Sequence, residues 1–307
     1  MSLRLTFLGT SAAAPTARRN LSGLFVRREG DSLLFDCGEG TQRQMIRFGT
    51  GFSLKAVLFT HFHADHYLGI IGFLRTLSML GRTEPLILIG PPPAASFLPQ
   101  VIRLGVEELA LPVEIVEIAG GTALHGDGYR VEAFPTDHRI RSIGFSLVED
   151  ERPGRFDVEA ARARGVPAGP LFGQLQRGEG VTLPDGRLVR PEEVVGPPRP
   201  GRRVVISGDT RPCDATIAAA EGADLLVHEA TFGDAEQERA LYTKHATARE
   251  AAIVAREARA ARLMLTHLSA RYDQEPEALL REAQEELDPA AVDVAEDGRV
   301  IDLPLRD

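Results

Sequence analysis

Apolar and polar positions alternate in short bursts along the first half of the chain. Leu3 to Leu8 alternates until Gly9 breaks the run. Period two marks a strand with one buried face. Leu24 to Arg27 and Leu33 to Phe35 flank the turn-forming Glu29-Gly30-Asp31, which predicts a hairpin. Ala56 to Phe59 is a short continuous apolar run, the form of a strand covered on both faces. Leu68 to Leu80 changes to helical spacing, and Leu86 to Ile89 returns to strand until Gly90 and three prolines stop it. Val113 to Ile118, Tyr129 to Phe134 and Ile143 to Val148 predict more strands. Val204 to Ile206, Leu225 to Val227 and Leu263 to Leu265 predict three buried strands, each followed by helix. The helix over Thr247 to Ala261 opens on Thr247 and Glu250, spaced as a capping box in which hydroxyl and carboxylate satisfy each other's amides. Strand and helix alternate, so the class is α/β.

One stretch breaks the pattern. Residues 150–203 are rich in Gly, Pro and Arg and poor in strand signal, with ten Arg against eight Asp and Glu. An insertion of that length in a compact domain either is a flexible surface excursion or has a task of its own.

Composition narrows the classes. The chain has 307 residues and a formal net charge of -9, with 43% hydrophobic and 26% charged residues. Those values fit a globular protein and exclude a disordered or collagen-like one. The acidic balance argues against indiscriminate nucleic-acid binding and leaves room for one local basic patch. No apolar run reaches the ~18 to 20 residues of a membrane span, so no membrane partner is expected. The N-terminal residues run directly into a strand pattern without the features of a secretory leader. Cys37 and Cys213 are far apart and form no CxxC pair. A cytoplasmic, reducing setting follows as the expectation.

The chemistry concentrates after the strand Val57 to Thr60. His61, His63, Asp65 and His66 fall within six residues there, and imidazole with carboxylate suits zinc. The bland alternative is a solvated polar turn. His138, Asp209 and His267 each close a further predicted strand. Five His and two Asp exceed one tetrahedral site and fit two metals sharing a carboxylate, with Asp209 as the natural bridge. Two such ions, roughly 3.5 to 4 Å apart, can clamp the oxygens of a phosphoryl displacement. His228 and Glu229 end the strand Leu225 to Val227, and His245 and Thr247 sit at the N-terminus of the capped helix. His245 is placed to give a proton to a leaving oxygen, with Glu229 holding its other nitrogen. His125 has no evident partner and reads as a surface residue.

At these residues the chain resembles the metallo-β-lactamase superfamily, whose signature is HxHxDH after a strand. Within it, the chain resembles the ribonuclease Z family of tRNA 3′-processing endonucleases. The matching stretches are Phe7 to Thr10, Phe35 to Gln42, Thr60 to His66, Ser207 to Thr210, His228 to Thr231 and Leu265 to Tyr272.

The resemblance implies an αββα sandwich over residues 1–307 with an inserted flexible arm at about 150–203. It implies two Zn2+ per chain: His61, His63 and His138 on one, Asp65, His66 and His267 on the other, Asp209 between them. Asp65 would also accept the proton of the attacking water, and His228, Glu229 and His245 complete the catalytic set. Gly169, Pro170, Gly173, Leu175, Arg177 and Gly178 match the arm motif that grips tRNA, and Thr247, Ser269 and Arg271 join the substrate-binding positions. The implied activity removes the 3′ trailer of precursor tRNA with water activated by the metal pair, leaving a 3′-hydroxyl on the tRNA. The implied assembly is a homodimer whose arm serves the partner's site. The alternative function is a small-molecule phosphodiesterase or thioesterase of the same superfamily; a binding module with a vestigial metal site is a third reading.

Overall fold

The computed structural model describes residues 2–104 and 109–306. The first half of the chain runs β1 (Leu3–Gly9), β2 (Gly23–Arg28), β3 (Asp31–Phe35), α1 (Thr41–Arg47), β4 (Ala56–Leu58), α2 (Ala64–Tyr67), α3 (Gly69–Met79), β5 (Leu86–Gly90), α4 (Ala94–Ile102) and β6 (Val113–Glu117). It continues through β7 (Gly121–Gly126), β8 (Tyr129–Pro135), β9 (Ile143–Glu149), α5 (Val158–Ala163), α6 (Pro170–Gln176), β10 (Val181–Thr182) and β11 (Leu188–Val189). The remainder is β12 (Arg203–Ile206), α7 (Asp214–Ala219), β13 (Leu225–Glu229), α8 (Gln237–Thr243), α9 (Ala248–Glu257), β14 (Leu263–Thr266), α10 (Glu277–Gln284), β15 (Val292–Val294) and β16 (Val300–Asp302).

Contacts divide the chain into two compact units, one of residues up to 148 and 203–304, the other of 149–202 with the last residues. In the larger unit the strands form two seven-stranded sheets, ordered β16-β1-β2-β3-β4-β5-β6 and β15-β14-β13-β12-β9-β8-β7. Leu5, Phe7, Val26, Leu33 and Phe35 of the first sheet meet Val131, Phe145, Leu147, Val204 and Val227 of the second in one buried cluster. The alternate residues Leu34, Val57 and Leu88 face outward under α1, α3 and α4, packing on Met45, Phe73, Leu77 and Leu98. Val205, Leu226 and Leu265 do the same under α9 and α10, against Ala251, Val254, Leu279 and Ala283. The layering is helix, sheet, sheet, helix. Both faces of the central strands are covered, which is why their sequences read as continuous apolar runs rather than alternation.

The predicted hairpin is β2–β3, paired from Leu24↔Phe35 to Arg28↔Asp31. Helices α1 and α4 and strands β7, β15 and β16 are additions to the elements expected from sequence. β15 and β16 span three residues each, too short for a period to show, and β7 is an edge strand with four of its residues exposed or half-exposed polar or glycine positions. His125 sits there, exposed as expected.

The smaller unit is not a featureless excursion. Asp157 caps α5 by accepting the Ala160 amide at 2.8 Å, and β10 pairs antiparallel with β11. Ala161, Val166, Leu175, Val181, Leu183, Val189 and Val194 form its own core. Its two ends are joined by a buried bidentate ion pair, Arg202 Nε to Glu149 Oε2 at 2.7 Å and Nη2 to Oε1 at 2.8 Å.

Between the two sheets the rings of Phe35 and Phe145 pack at a tilt of 59° with centroids 5.6 Å apart. Truncating Phe145 leaves a cavity between the sheets, so Phe145→Ala is expected to cost about 3–5 kcal/mol. Urea unfolding followed by fluorescence or circular dichroism checks this. A loss under about 1 kcal/mol would mean the sheets collapse to fill the gap.

Candidate metal centre

Strands β3, β4, β5 and β6 run parallel, as do β12, β13, β14 and β15. In such sheets the loops leaving the C-terminal strand ends converge and form the site. Each predicted ligand leaves such an end or the turn after β8. His61 and His63 follow β4. His63 is the N-cap residue of α2, and that one short helix carries Asp65 and His66. Asp209 follows β12, and His267 follows β14 with left-handed backbone (φ 57°) that turns its ring out of the strand line.

All seven side chains come together. One group joins His61, His63, His138 and Asp209; a second joins Asp65, His66 and His267; a third joins Asp209, His245 and His267. Nε2 of His61 lies 3.0 Å from Nδ1 of His63, which lies 3.2 Å from Nε2 of His138. His66 Nε2 lies 3.3 Å from His267 Nε2, and that nitrogen is 3.3 Å from Asp65 Oδ2. Asp209 spans the groups: Oδ2 is 3.6 Å from His61 Nε2 and Oδ1 is 3.4 Å from His66 Nε2.

The outer nitrogens are already engaged. His138 Nδ1 donates to the Lys244 carbonyl at 2.8 Å, and His66 Nδ1 donates to Asp36 Oδ2 at 2.8 Å. His61 Nδ1 meets the Thr60 hydroxyl at 3.0 Å and His267 Nδ1 meets that of Thr231 at 2.9 Å. With Nδ1 carrying the hydrogen, the lone pairs on Nε2 of His66 and His138 face inward, as a metal ligand requires. Asp209 Oδ1 is buried with no hydrogen-bond partner among the described residues. A buried carboxylate oxygen in that state calls for a cation. The donor set, the inward lone pairs and this orphan oxygen all fit divalent metal.

Charge follows the same arrangement. Burial, then repulsion from neighbouring imidazoles, pulls His61 and His63 below the ordinary histidine range, and burial does the same to His138. Neutral imidazole is the ligating form. Burial penalises the Asp209 and Asp65 carboxylates, but the surrounding histidines, His267 first, overcome that and hold both well ionised.

Beside the ligands, His245 Nδ1 bonds Glu229 Oε1 at 2.8 Å. Glu229 is pinned in turn by the Thr210 amide at 2.8 Å and the Thr231 hydroxyl at 2.6 Å. Burial disfavours the imidazolium, yet the Glu229 carboxylate outweighs it and raises His245 to about 9. The cleft in front of these groups, about 910 Å³, is lined by Ala13, Asp65, His138, Arg139, Arg239 and Arg271 among others, with Ser269 beside them.

Three assignments change. His228 precedes Glu229 on the same strand, and the two-residue period sends its ring to the opposite face, where Nδ1 meets the Glu229 carbonyl at 2.7 Å. It is therefore not gathered with the catalytic groups. Thr247 is fully buried and caps α9, its hydroxyl accepting the Glu250 amide at 3.2 Å, so it is unavailable to substrate. Leu175 packs inside the core of the smaller unit and offers no side chain to a ligand. In that unit Gly169 precedes α6 with φ 136°, Pro170 opens the helix, Gly173 lies within it, and Gly178 follows its end. Arg177 is exposed and bonds Glu179 at 3.2 Å.

Sequence reasoning overlooked Asp36, Thr231 and Ala13. Asp36 also accepts the Thr60 amide at 2.8 Å, and the Ala13 amide donates to Asp65 Oδ2 at 2.8 Å. The available signal for Asp36 was a carboxylate closing the strand Leu33 to Phe35. Because Asp36 fixes the tautomer and angle of His66, Asp36→Asn is expected to weaken metal affinity about 10- to 100-fold. Competition against a chromogenic chelator measures this, and wild-type affinity in the variant would show that His66 is held by other contacts.

Residues 19–267 match the metallo-beta-lactamase superfamily. The chain is 64% identical to ribonuclease Z of Myxococcus xanthus over 99% of both chains. It is 52% identical to ribonuclease Z of Haloferax volcanii over 100% of this chain and 97% of that one. Among solved structures it is similar to the short form of human tRNase Z, with TM-score 0.71 and 28% identity over 98% of this chain and 100% of that one. Two donor clusters joined through one carboxylate at the edge of an αββα sandwich, in a chain this close to those relatives, make it a member of the metallo-β-lactamase superfamily and of the ribonuclease Z family within it.

Proposed function

We propose that this chain is the metal-dependent endoribonuclease that removes the 3′ trailer of precursor tRNA and leaves a 3′-hydroxyl on the tRNA. The observation that carries the reading is Asp209, whose two oxygens face separate donor clusters beside the His245–Glu229 pair. The relatives' name supplies the substrate class.

His61, His63 and His138 would hold one zinc, Asp65, His66 and His267 a second, and Asp209 both. When bound, the ions lower the pKa of water and spread charge on the phosphoryl oxygens. Asp65 keeps Oδ2 on the Ala13 amide, so Oδ1 is the oxygen that takes a proton from the attacking water. His245 keeps Nδ1 on Glu229, so Nε2 is the nitrogen that gives a proton to the leaving 3′-oxygen. Ser269 and Arg271 at the cleft bind the RNA backbone. Residues 150–203 act as the tRNA-gripping arm through Gly169, Pro170, Gly173, Arg177 and Gly178. The active assembly is a homodimer, and it works in the cytoplasm, a reducing setting with which two free cysteines accord.

Incubation with an unprocessed tRNA transcript tests the reading: a discrete 3′ cut that disappears with chelator is expected. Asp65→Ala abolishes the cut while tRNA binding by gel shift survives; cleavage near the wild-type rate would remove Asp65 from the role. The proton-donating form of His245 is complete below its pKa and is lost as pH rises through about 9. In Glu229→Gln the carboxylate that raises it is gone, so the alkaline limb of kcat moves to lower pH. An unmoved limb would assign the proton to another group.

A further inference from the structure

Among the exposed large apolar side chains of the described residues, Tyr242 is the one aromatic ring, at 76% exposure. The hydroxyls of Tyr129 and Tyr272 bond to carboxylates, whereas that of Tyr242 has no protein partner among the described residues. The Arg139 guanidinium lies over its ring, 5.4 Å from the centroid. Arg239 lies over Phe232 at 5.8 Å. Arg139, Ile140, Arg239 and Thr243 line the same cleft as His138 and His245.

This corner is held rigidly against the metal ligands. The carbonyl of Lys244 accepts Nδ1 of His138 at 2.8 Å, and Lys244 Nζ bonds Asp137, so the end of α8 is stapled to the loop that carries Arg139. Both arginines of α9 are neutralised: Arg249 contacts Asp234, Glu285 and Glu286, and Arg256 contacts Glu286. Arg139 and Arg239 have no carboxylate within ion-pair distance among the described residues. In a chain of net charge -9, two uncompensated guanidiniums at the mouth of one cleft mark where a polyanion meets the protein. An open aromatic face with an adjoining arginine is the arrangement that stacks an unpaired base; a duplex offers no free base face.

We propose that Tyr242 and Arg139 form a stacking platform for an unpaired nucleotide next to the scissile phosphate, with Arg239 taking a flanking phosphate. The proposal rests on the endoribonuclease reading above and adds residues to it. The nucleotide belongs either to the trailer or to the unpaired 3′ end of the tRNA itself, and the experiment separates the two.

Unprocessed transcripts carrying one abasic nucleotide, moved stepwise across the cleavage junction, are cleaved by wild type, Tyr242→Ala and Tyr242→Phe. On the intact transcript Tyr242→Ala is expected to raise KM roughly 5- to 150-fold, the worth of one stacked base, while Tyr242→Phe stays near wild type. At one abasic position wild type loses the same factor and Tyr242→Ala loses nothing more, because the two changes remove one contact. The side of the junction on which that position falls identifies the source. KM within about twofold of wild type for Tyr242→Ala, or penalties that multiply at every abasic position, overturns the proposal. If wild type makes no cut in any transcript, the endoribonuclease reading falls separately. Fluorescence anisotropy with a short single-stranded RNA then decides the platform, and equal affinity for wild type and Tyr242→Ala rejects it.

Discussion

A buried negative charge that needs a positive partner organises this protein. Asp209 is 2% exposed, lies at the meeting of two sheets, and has one oxygen without a hydrogen-bond partner among the described residues. Five imidazoles direct nitrogens toward it or toward Asp65, their neighbour. Burial leaves both carboxylates poorly screened, and imidazoles packed at 3.0 to 3.3 Å repel one another whenever they charge. Divalent metal relieves both problems at once. The strand ends, the left-handed turn at His267 and the burial of neutral side chains around the site all serve that convergence.

The groups behind the ligands matter as much as the ligands. Asp36, Thr60, Thr231 and the Lys244 carbonyl each take up the outer nitrogen of one histidine. Each comes from a different part of the chain, so the site is assembled by the whole sandwich. Thr231 also bonds Glu229, which holds His245, and this links the second donor cluster to His245 through one hydroxyl. Residues 242–245 play four parts within four positions: an exposed ring, a lysine that ties α8 to the His138 loop, a carbonyl for His138, and the imidazole of His245.

An acidic chain in a family that handles RNA poses an electrostatic question. Its answer is local. Carboxylates pair with arginine over α9, α10 and their surroundings, while the cleft keeps Arg139 and Arg239 without a carboxylate partner among the described residues. Average charge therefore says little about where a polyanion can approach, since the field that matters is set within about a Debye length, ~8 to 10 Å.

The ligand types, their places after strands and the α/β class were legible because each is a short-range property, and the sandwich was implied only by the family resemblance those residues carry. A histidine-rich turn and a strand period occupy contiguous residues, and His61 to His66 announce themselves within one turn of chain. The capping box of Thr247 and Glu250 was legible for the same reason, and it is the cap that buries Thr247 and removes it from the cleft. Tertiary structure decided what depends on facing. His228 and Glu229 are adjacent, and only the placement of β13 between its neighbours says which of them looks into the site. Leu175 belongs to a motif, yet the fold of residues 149–202 turns its side chain into a core. Ala13 and Thr231 carry no distinguishing spacing, and Asp36 only its place at a strand end, because a hydrogen bond to a ligand from 30 or more residues away is written only in three dimensions.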